Sequence, residues 1–515
     1  MMPPTLYTSS SRVIQKEKLT DMKRVIKNIS SAMAAALVTV IMLNSVTGLM
    51  ERKSGVEKYN DFFEQDENFD VLFFGTSHVM DAVFPMELYN DYGMVSYNFG
   101  NPSCMLATSY WTMENALDYT SPKLVVIDCY TLSNNTKTSD MFSFVHYSMD
   151  PFRLSVNKVK AVDDLLDDKN KERAVREGRV RQSDEKNTYI GLLWNYSVYH
   201  SRWSELTEDD FEPEYSVEKG AIAKIKVTPN EFVSIGREEK LDKDTLGVEY
   251  LGKMIEECKS RGIDVLLTYL PFAAKESKQR EANRVYEIAE KYDVDYINFF
   301  VTDLVNYTTD CYDKASHLNV SGGRKITQYL GQYIKDNYGI EDRRGDESYS
   351  FWDVDLQEYQ QFNVDNMRKE KKPDSYLMLI SGYRADAVID VSDRSIFKNN
   401  VYRELFKNCG VKEDELADNT DFIIIKNGGE KAVVLNGFKG EDRTIDTEAG
   451  TAKIKYTSSG KYEFYLDGSK KLTGSDNSGD DMKVVTYKKE KVESVKFKYR
   501  FNDNGDEIGE SRVIR

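Results

Sequence analysis

The sequence predicts an α/β fold built on a parallel sheet, and three features support that reading. Over residues 67–340, short β-branched and aromatic runs alternate with helical stretches, the pattern of a sheet covered by helices on both faces. A long uncharged segment lies ahead of this region. Behind it, alternating runs punctuated by Gly-rich turns read as hairpins of a separate β-rich unit. At 515 residues the chain exceeds what one hydrophobic core usually organises, so more than one domain is expected.

Taken in order, residues 1–28 are expected to be a cytoplasmic tail and 29–50 (ISSAMAAALVTVIMLNSVTGLM) a transmembrane helix, since about twenty residues without charge span a bilayer. Lys23, Arg24 and Lys27 precede the span, whereas Glu51, Arg52 and Lys53 after it are mixed in sign. The positive-inside rule then keeps the N-terminus in the cytoplasm and puts the bulk of the chain outside the cell membrane. A cleaved signal peptide is the alternative reading. Residues 51–66 are expected to form a polar stalk.

Five strands are predicted in the next region: FDVLFFG (69–75), VSYNFG (95–100), KLVVIDC (123–129), IDVLLTY (263–269) and DYINFF (295–300). Helical periodicity occupies 103–119, 246–261, 275–292 and 321–337. An insertion at 130–245, with the stretch WNYSVYHSRW (194–203), is either a substrate-binding lid or a structural excursion. Residues 341–372 are charged and read as a linker or connecting helix. From 373 to 515, runs such as SYLMLISGY and DFIIIKNGGEKAVVLNGF predict a β-sandwich-like C-terminal domain.

A formal net charge of -16 argues against nucleic acid as a partner, because phosphate neutralisation needs Lys and Arg surfaces. Five scattered cysteines without a C-x-x-C pair predict neither a disulfide framework nor a metal site. Only four histidines are present, His78, His146, His200 and His317, which narrows the choice of a general base.

Chemistry-bearing residues fall at predicted strand ends, where α/β sheets gather functional groups. FFGTSHV (73–79) puts Ser77 on the turn after the first strand, with a backbone N–H available to an oxyanion. YNFGNPS (97–103) offers Gly100, where the backbone can approach closely, and Asn101 as a further donor. TTDCYDKASHLNV (308–320) sets Asp313 four residues before His317. A carboxylate there can accept Nδ1–H, so that Nε2 faces the serine. Asp310 is the alternative orienting group. His78, beside Ser77, and His200 with Arg202 in the insertion are candidate substrate contacts, with packing or a buried pair as the other reading.

Together these segments resemble the SGNH (GDSL-like) hydrolase superfamily, in the membrane-associated branch that includes the D-alanyl-lipoteichoic acid protein D and alginate O-acetylation proteins. The resemblance covers about 67–340 outside much of the insertion. It implies a flavodoxin-like three-layer α/β/α domain, in which Ser77 attacks an acyl carbon, His317 is the general base and Asp313 orients it. The N–H groups of Ser77 and Gly100 would form the oxyanion hole, with Asn101 as a substitute donor. Three departures stand out. G-T-S-H replaces G-D-S, Asp-x-x-x-His replaces Asp-x-x-His, and IDCYTLSNN lacks the Gly-x-Asn-Asp pattern of the third block.

The expected activity is an acyl-esterase or O-acyltransferase acting on a cell-surface polysaccharide or related polymer, without cofactor or metal. The resemblance also implies a membrane-bound O-acyltransferase as partner. The alternative is a membrane-anchored binding scaffold that retains the fold. The C-terminal region resembles the interleukin-like EMT inducer type of domain, which implies a carbohydrate-binding or interaction module.

Overall fold

The structure is a computed structural model that describes residues 8–50, 53–139, 143–166, 185–211, 216–241, 243–314, 316–476 and 481–515. Helix α1 (Thr8–Met50) contains a stretch, Asp21–Thr47, long and apolar enough to cross a membrane. The residues expected to form a stalk instead include helix α2 (Lys53–Glu64), which is packed into the core. The reason is legible in KYNDFF. Tyr59, Phe62 and Phe63 fall at i, i+3 and i+4, one face of a helix. Phe62 stacks on Phe69 at 5.3 Å between ring centroids, and Tyr59 lies against Phe99 at 5.5 Å.

The helices that follow are α3 (Ser77–Ala82), α4 (Pro85–Tyr92), α5 (Leu106–Ala116), α6 (Ser143–Met149), α7 (Val156–Leu165), α8 (Glu185–Leu193), α9 (Tyr196–Tyr199), α10 (Leu246–Ser260), α11 (Glu276–Tyr292) and α12 (Val320–Tyr338). Between them run β1 (Val71–Phe74), β2 (Ser96–Asn98), β3 (Leu124–Asp128), β4 (Asp264–Tyr269) and β5 (Asp295–Asn298). These form one sheet of order β2-β1-β3-β4-β5, with every neighbouring pair parallel.

Side chains alternate across a strand, and here both faces are buried. Leu72, Phe74, Ile127 and Leu267 pack with Met113 of α5, Met254 of α10 and Val285 of α11. Phe73, Val126 and Leu266 pack on the other side with Val79 of α3, Leu88 of α4 and Ile326 of α12. A parallel sheet needs such cover, and it explains why VLFF is apolar at every position rather than at alternate ones.

The segment read as a linker or connecting helix contains helix α13 (Phe351–Lys369), whose Trp352 is fully buried and donates its indole N–H to Gln65 Oε1 at 3.1 Å. SYLMLISGY, expected as a strand, is instead helix α14 (Pro373–Gly382), with proline in its first turn. A short run that is apolar on all sides suits a buried helix as well as a strand, and Pro at a helix start decides for the helix.

Helix α15 (Asn400–Asn408) and ten strands complete the C-terminal region: β6 (Asp386–Val391), β7 (Thr420–Lys426), β8 (Lys431–Asn436), β9 (Arg443–Thr447), β10 (Gly450–Tyr456), β11 (Lys461–Leu466), β12 (Ser469–Ser475), β13 (Met482–Lys488), β14 (Glu490–Lys498) and β15 (Arg512–Ile514). They make a six-stranded sheet, β15-β14-β13-β6-β7-β8, and a four-stranded one, β12-β11-β10-β9. The sandwich expected here exists on one face only. Val388, Phe422 and Ile424 meet Ile454, Phe464 and Leu466 of the smaller sheet. On the other face, Ile389, Ile423 and Val484 pack against Leu377 and Leu379 of α14 and Leu405 of α15.

Candidate active site

Strand β1 delivers the chain to Gly75, Thr76 and the first turn of α3. Gly75 has no room for a side chain, because a Cβ would lie 2.6 Å from Val79 Cγ2 and 2.9 Å from Asp128 Cβ. Thr76 caps the helix by accepting the His78 N–H at 3.3 Å. Ser77 is therefore the first residue of α3, at the C-terminal edge of the sheet. Its own N–H is one of the first-turn donors that no intrahelical carbonyl can reach.

The loop after β5 brings the partners. Backbone bonds from Tyr312 N to His317 O (2.9 Å) and from Asn319 N to Asp310 O (2.9 Å) fold residues 310–319 back on themselves. Asn319 fixes the exit by capping α12, accepting from the N–H groups of Ser321 (3.1 Å) and Gly322 (3.2 Å). On this loop Asp313 holds His317 twice. Its Oδ1 accepts the His317 backbone N–H at 2.9 Å, and its Oδ2 lies 2.7 Å from Nδ1. A carboxylate can only accept, so Nδ1 carries the proton and Nε2 the lone pair. Ser77 Oγ lies 2.8 Å from that Nε2, across 240 residues of sequence.

Asp310, the alternative orienting group, faces elsewhere. It is fully buried, pairs with Lys325 Nζ at 2.6 Å and accepts from Asn408 Nδ2 at 2.9 Å and Asn306 N at 2.9 Å. Since Asn408 ends α15, the C-terminal region braces the loop that bears Asp313 and His317.

The structure engages the expected oxyanion donors other than Ser77 differently. The Gly100 N–H donates to Asn98 Oδ1 at 2.8 Å. The Asn101 amide donates to Tyr59 Oη (2.6 Å) and Ser148 Oγ (3.1 Å), and its backbone N–H to Gly75 O (3.1 Å). The need for glycine at 100 is steric, since a Cβ would fall on Met80 N and within 2.8 Å of Thr76 O. Gly100→Ala is expected to displace the first turn of α3 and to cost about 1–3 kcal/mol of stability, as overpacking does. Thermal melts of variant and parent check the stability.

The other candidates are placed as follows. His78 is buried against Tyr130 and Phe272, with ring centroids 4.0 and 4.7 Å away, and 5.7 Å from His317. Burial, then the neighbouring His317 and Lys278, pushes its pKa well below the usual imidazole range, so it is neutral. His200 is exposed at the start of a 3-10 turn, His200–Ser204. Arg202 donates to Met50 O at 2.7 Å and pairs with Asp210 at 3.1 Å, which ties it to the end of α1.

Several contributors carry no sequence signal. The irregular chain at 221–232 lies along the site loops, with Thr228 N bonded to Cys311 O (2.9 Å) and Asn230 Nδ2 to Asp313 O (2.9 Å). Irregular backbone has no periodicity to read. Titratable side chains, the buried Lys58 and Asp81 among them, also lie on or close to α3 and the Gly100 turn. Lys58 of α2 donates to Gly100 O and to Asn101 Oδ1 (3.4 Å), and Lys224 Nζ approaches Asp81 of α3 at 3.9 Å. Tyr130 and Phe272 stand just beyond β3 and β4, a position from which they were identifiable. Among the described residues, no group of three or more His, Cys, Asp or Glu side chains is arranged to hold a metal ion.

Burial raises the carboxyls of Asp81 and Glu218 to about 7. Their ordinary values are 3.8 and 4.5, so the folded chain holds protons that the unfolded chain releases between roughly pH 4 and 7. The stability these groups contribute is complete below about pH 4 and is lost as pH rises through 7. Burial lowers Lys58 to about 7 from 10.5, which acts in the separate window above 7 and makes stability rise with pH there. Asp81→Asn should flatten the decline of unfolding free energy between pH 5 and 8, by on the order of 2 kcal/mol at pH 8, read from denaturant melts across that range. Parallel slopes for variant and parent would refute this.

No family model matches the chain, and no curated protein matches it either. Among solved structures, the chain is similar to a "putative acylhydrolase" from Bacteroides fragilis, at 11% identity and a TM-score of 0.28, over 56% of this chain and 99% of that one. At that level of similarity nothing about this chain's chemistry follows.

Proposed function

We propose that this chain is an extracytoplasmic, membrane-anchored serine enzyme of the SGNH type that cleaves or transfers acyl esters through an acyl-Ser77 intermediate. The observation that carries the reading is the relay Ser77 Oγ, His317 Nε2, His317 Nδ1, Asp313 Oδ2, with links of 2.8 and 2.7 Å. The sheet order 2-1-3-4-5 with helices on both faces supports a flavodoxin-like domain. Positive residues before the apolar helix support a cytoplasmic N-terminus.

In the first step His317 Nε2 takes the Ser77 proton while Oγ bonds to the ester carbonyl carbon. The imidazolium, held by Asp313, then returns that proton to the departing alkoxide as the ester C–O bond breaks. Water or an acceptor hydroxyl repeats the sequence in reverse and frees Ser77. The acceptor we propose is a cell-surface polymer, with a membrane-bound O-acyltransferase as the source of acyl groups.

The engagement of Gly100 N–H and Asn101 favours a second reading, a binding scaffold with weak catalysis, since one missing oxyanion donor costs about a hundredfold or more. Pre-steady-state hydrolysis of p-nitrophenyl acetate by the detergent-solubilised full chain separates the two. A burst of about one p-nitrophenolate per chain supports the acyl-enzyme. Hydrolysis no faster than the buffer blank leaves the scaffold.

A further inference from the structure

The insertion carries a set of apolar side chains that the proposed chemistry does not use. Leu154, Trp203 and Phe211 are 68%, 69% and 66% exposed, and Val156 and Trp194 are exposed as well. Water-facing aromatic and aliphatic residues in such density mark an interaction face. Their position relative to α1 is fixed. Helix α1 packs against α9 and against the 3-10 turns His200–Ser204 and Glu208–Phe211. Arg202 closes the junction through Met50 O and Asp210.

A groove of about 860 Å³ opens at the same junction, lined by Val40, Leu43 and Thr47 of α1 with Leu154 and Trp194 and, on its polar side, by Glu64, Asp150, Arg153 and Lys158. From Val40 to Thr47 a helix rises about 10 Å. These are also the last turns of the stretch apolar enough to cross a membrane. If α1 crosses a bilayer, the groove and its rim stand at the level of the outer hydrocarbon edge and headgroups, where tryptophan concentrates.

We propose that this face is seated in the outer leaflet of the bilayer that α1 crosses, with Trp194, Trp203 and Phe211 in the interfacial region and lipid filling the groove. The inference rests on reading α1 as membrane-spanning. Its consequence is positional. Ser148 of α6, in the same insertion, accepts from Asn101, and Asn101 bonds to Gly75 O beside the nucleophile. Seating the insertion therefore sets the height of Ser77 above the membrane.

The test uses the full chain in proteoliposomes made with lipids brominated at different acyl positions. The protein has four tryptophans and none in α1. Trp352 is fully buried and Trp111 is bonded to Asp164, so Trp194 and Trp203 are the ones a lipid bromine reaches. Shallow bromines should quench emission by roughly a third or more, deep ones less, and Trp194→Phe with Trp203→Phe should abolish the difference. Trp203→Phe alone, at an exposed site, should fold normally and lose part of it. A chain that resists alkaline extraction yet shows equal emission in brominated and plain lipid would overturn the seating alone. A chain released by alkaline extraction would overturn the spanning reading of α1 as well.

Discussion

Ser77→Ala is expected to lower kcat for ester cleavage by about four orders of magnitude or more, while KM and the melting temperature stay near those of the parent. In the proposed mechanism the hydroxyl supplies the bond that splits one difficult displacement into two, and alanine offers no replacement for it. Removing it leaves the fold intact. Thr76 still caps α3 through its own side chain, and Val79 N and Met80 N still bond to Thr76 O. Steady-state kinetics with a p-nitrophenyl ester, beside a thermal melt, read both quantities. A loss below tenfold would mean that another group attacks the ester.

Asp313→Asn should cost about 10²–10⁴ in kcat, because an amide can present its NH₂ to Nδ1 and so favour the wrong imidazole tautomer. The informative comparison is Asp310→Asn. That substitution leaves His317 and Asp313 in place but removes the charge that pairs with buried-side Lys325, so it should cost roughly 2–4 kcal/mol of stability. Activity per folded molecule should fall little. The two variants thus separate along different axes, one in rate and one in melting temperature. If Asp310→Asn instead suppressed kcat in a chain that melts normally, the assignment of Asp313 as the orienting group would fail.

What could be read from the residues was whatever has a short-range signature. The five parallel strands announce themselves as buried apolar runs, and α10, α11 and α12 by 3.6-residue periodicity. Asp313 and His317, four residues apart on one loop, were visible as a pair, and the structure brings Ser77 to them. What escaped is non-local or periodicity-free. Helix α14 is buried all round, so its pattern does not distinguish helix from strand, and α2 was hidden by the polar Asn60 and Asp61 between Tyr59 and Phe62. The competition for the Gly100 N–H by Asn98, and for the Asn101 amide by Tyr59 and Ser148, depends on packing that no spacing rule encodes. The same holds for Arg202, whose partners Met50 and Asp210 lie 152 and 8 residues away.

The most direct measurement of the proposed chemistry is the site of covalent modification by an alkyl fluorophosphonate, mapped by peptide mass spectrometry on the full-length protein. A serine activated by His317 should acquire a single adduct on Ser77, in stoichiometric yield, and labelling should slow by orders of magnitude in His317→Ala. An unmodified Ser77 under conditions that label known serine hydrolases to completion would contradict its proposed role as nucleophile.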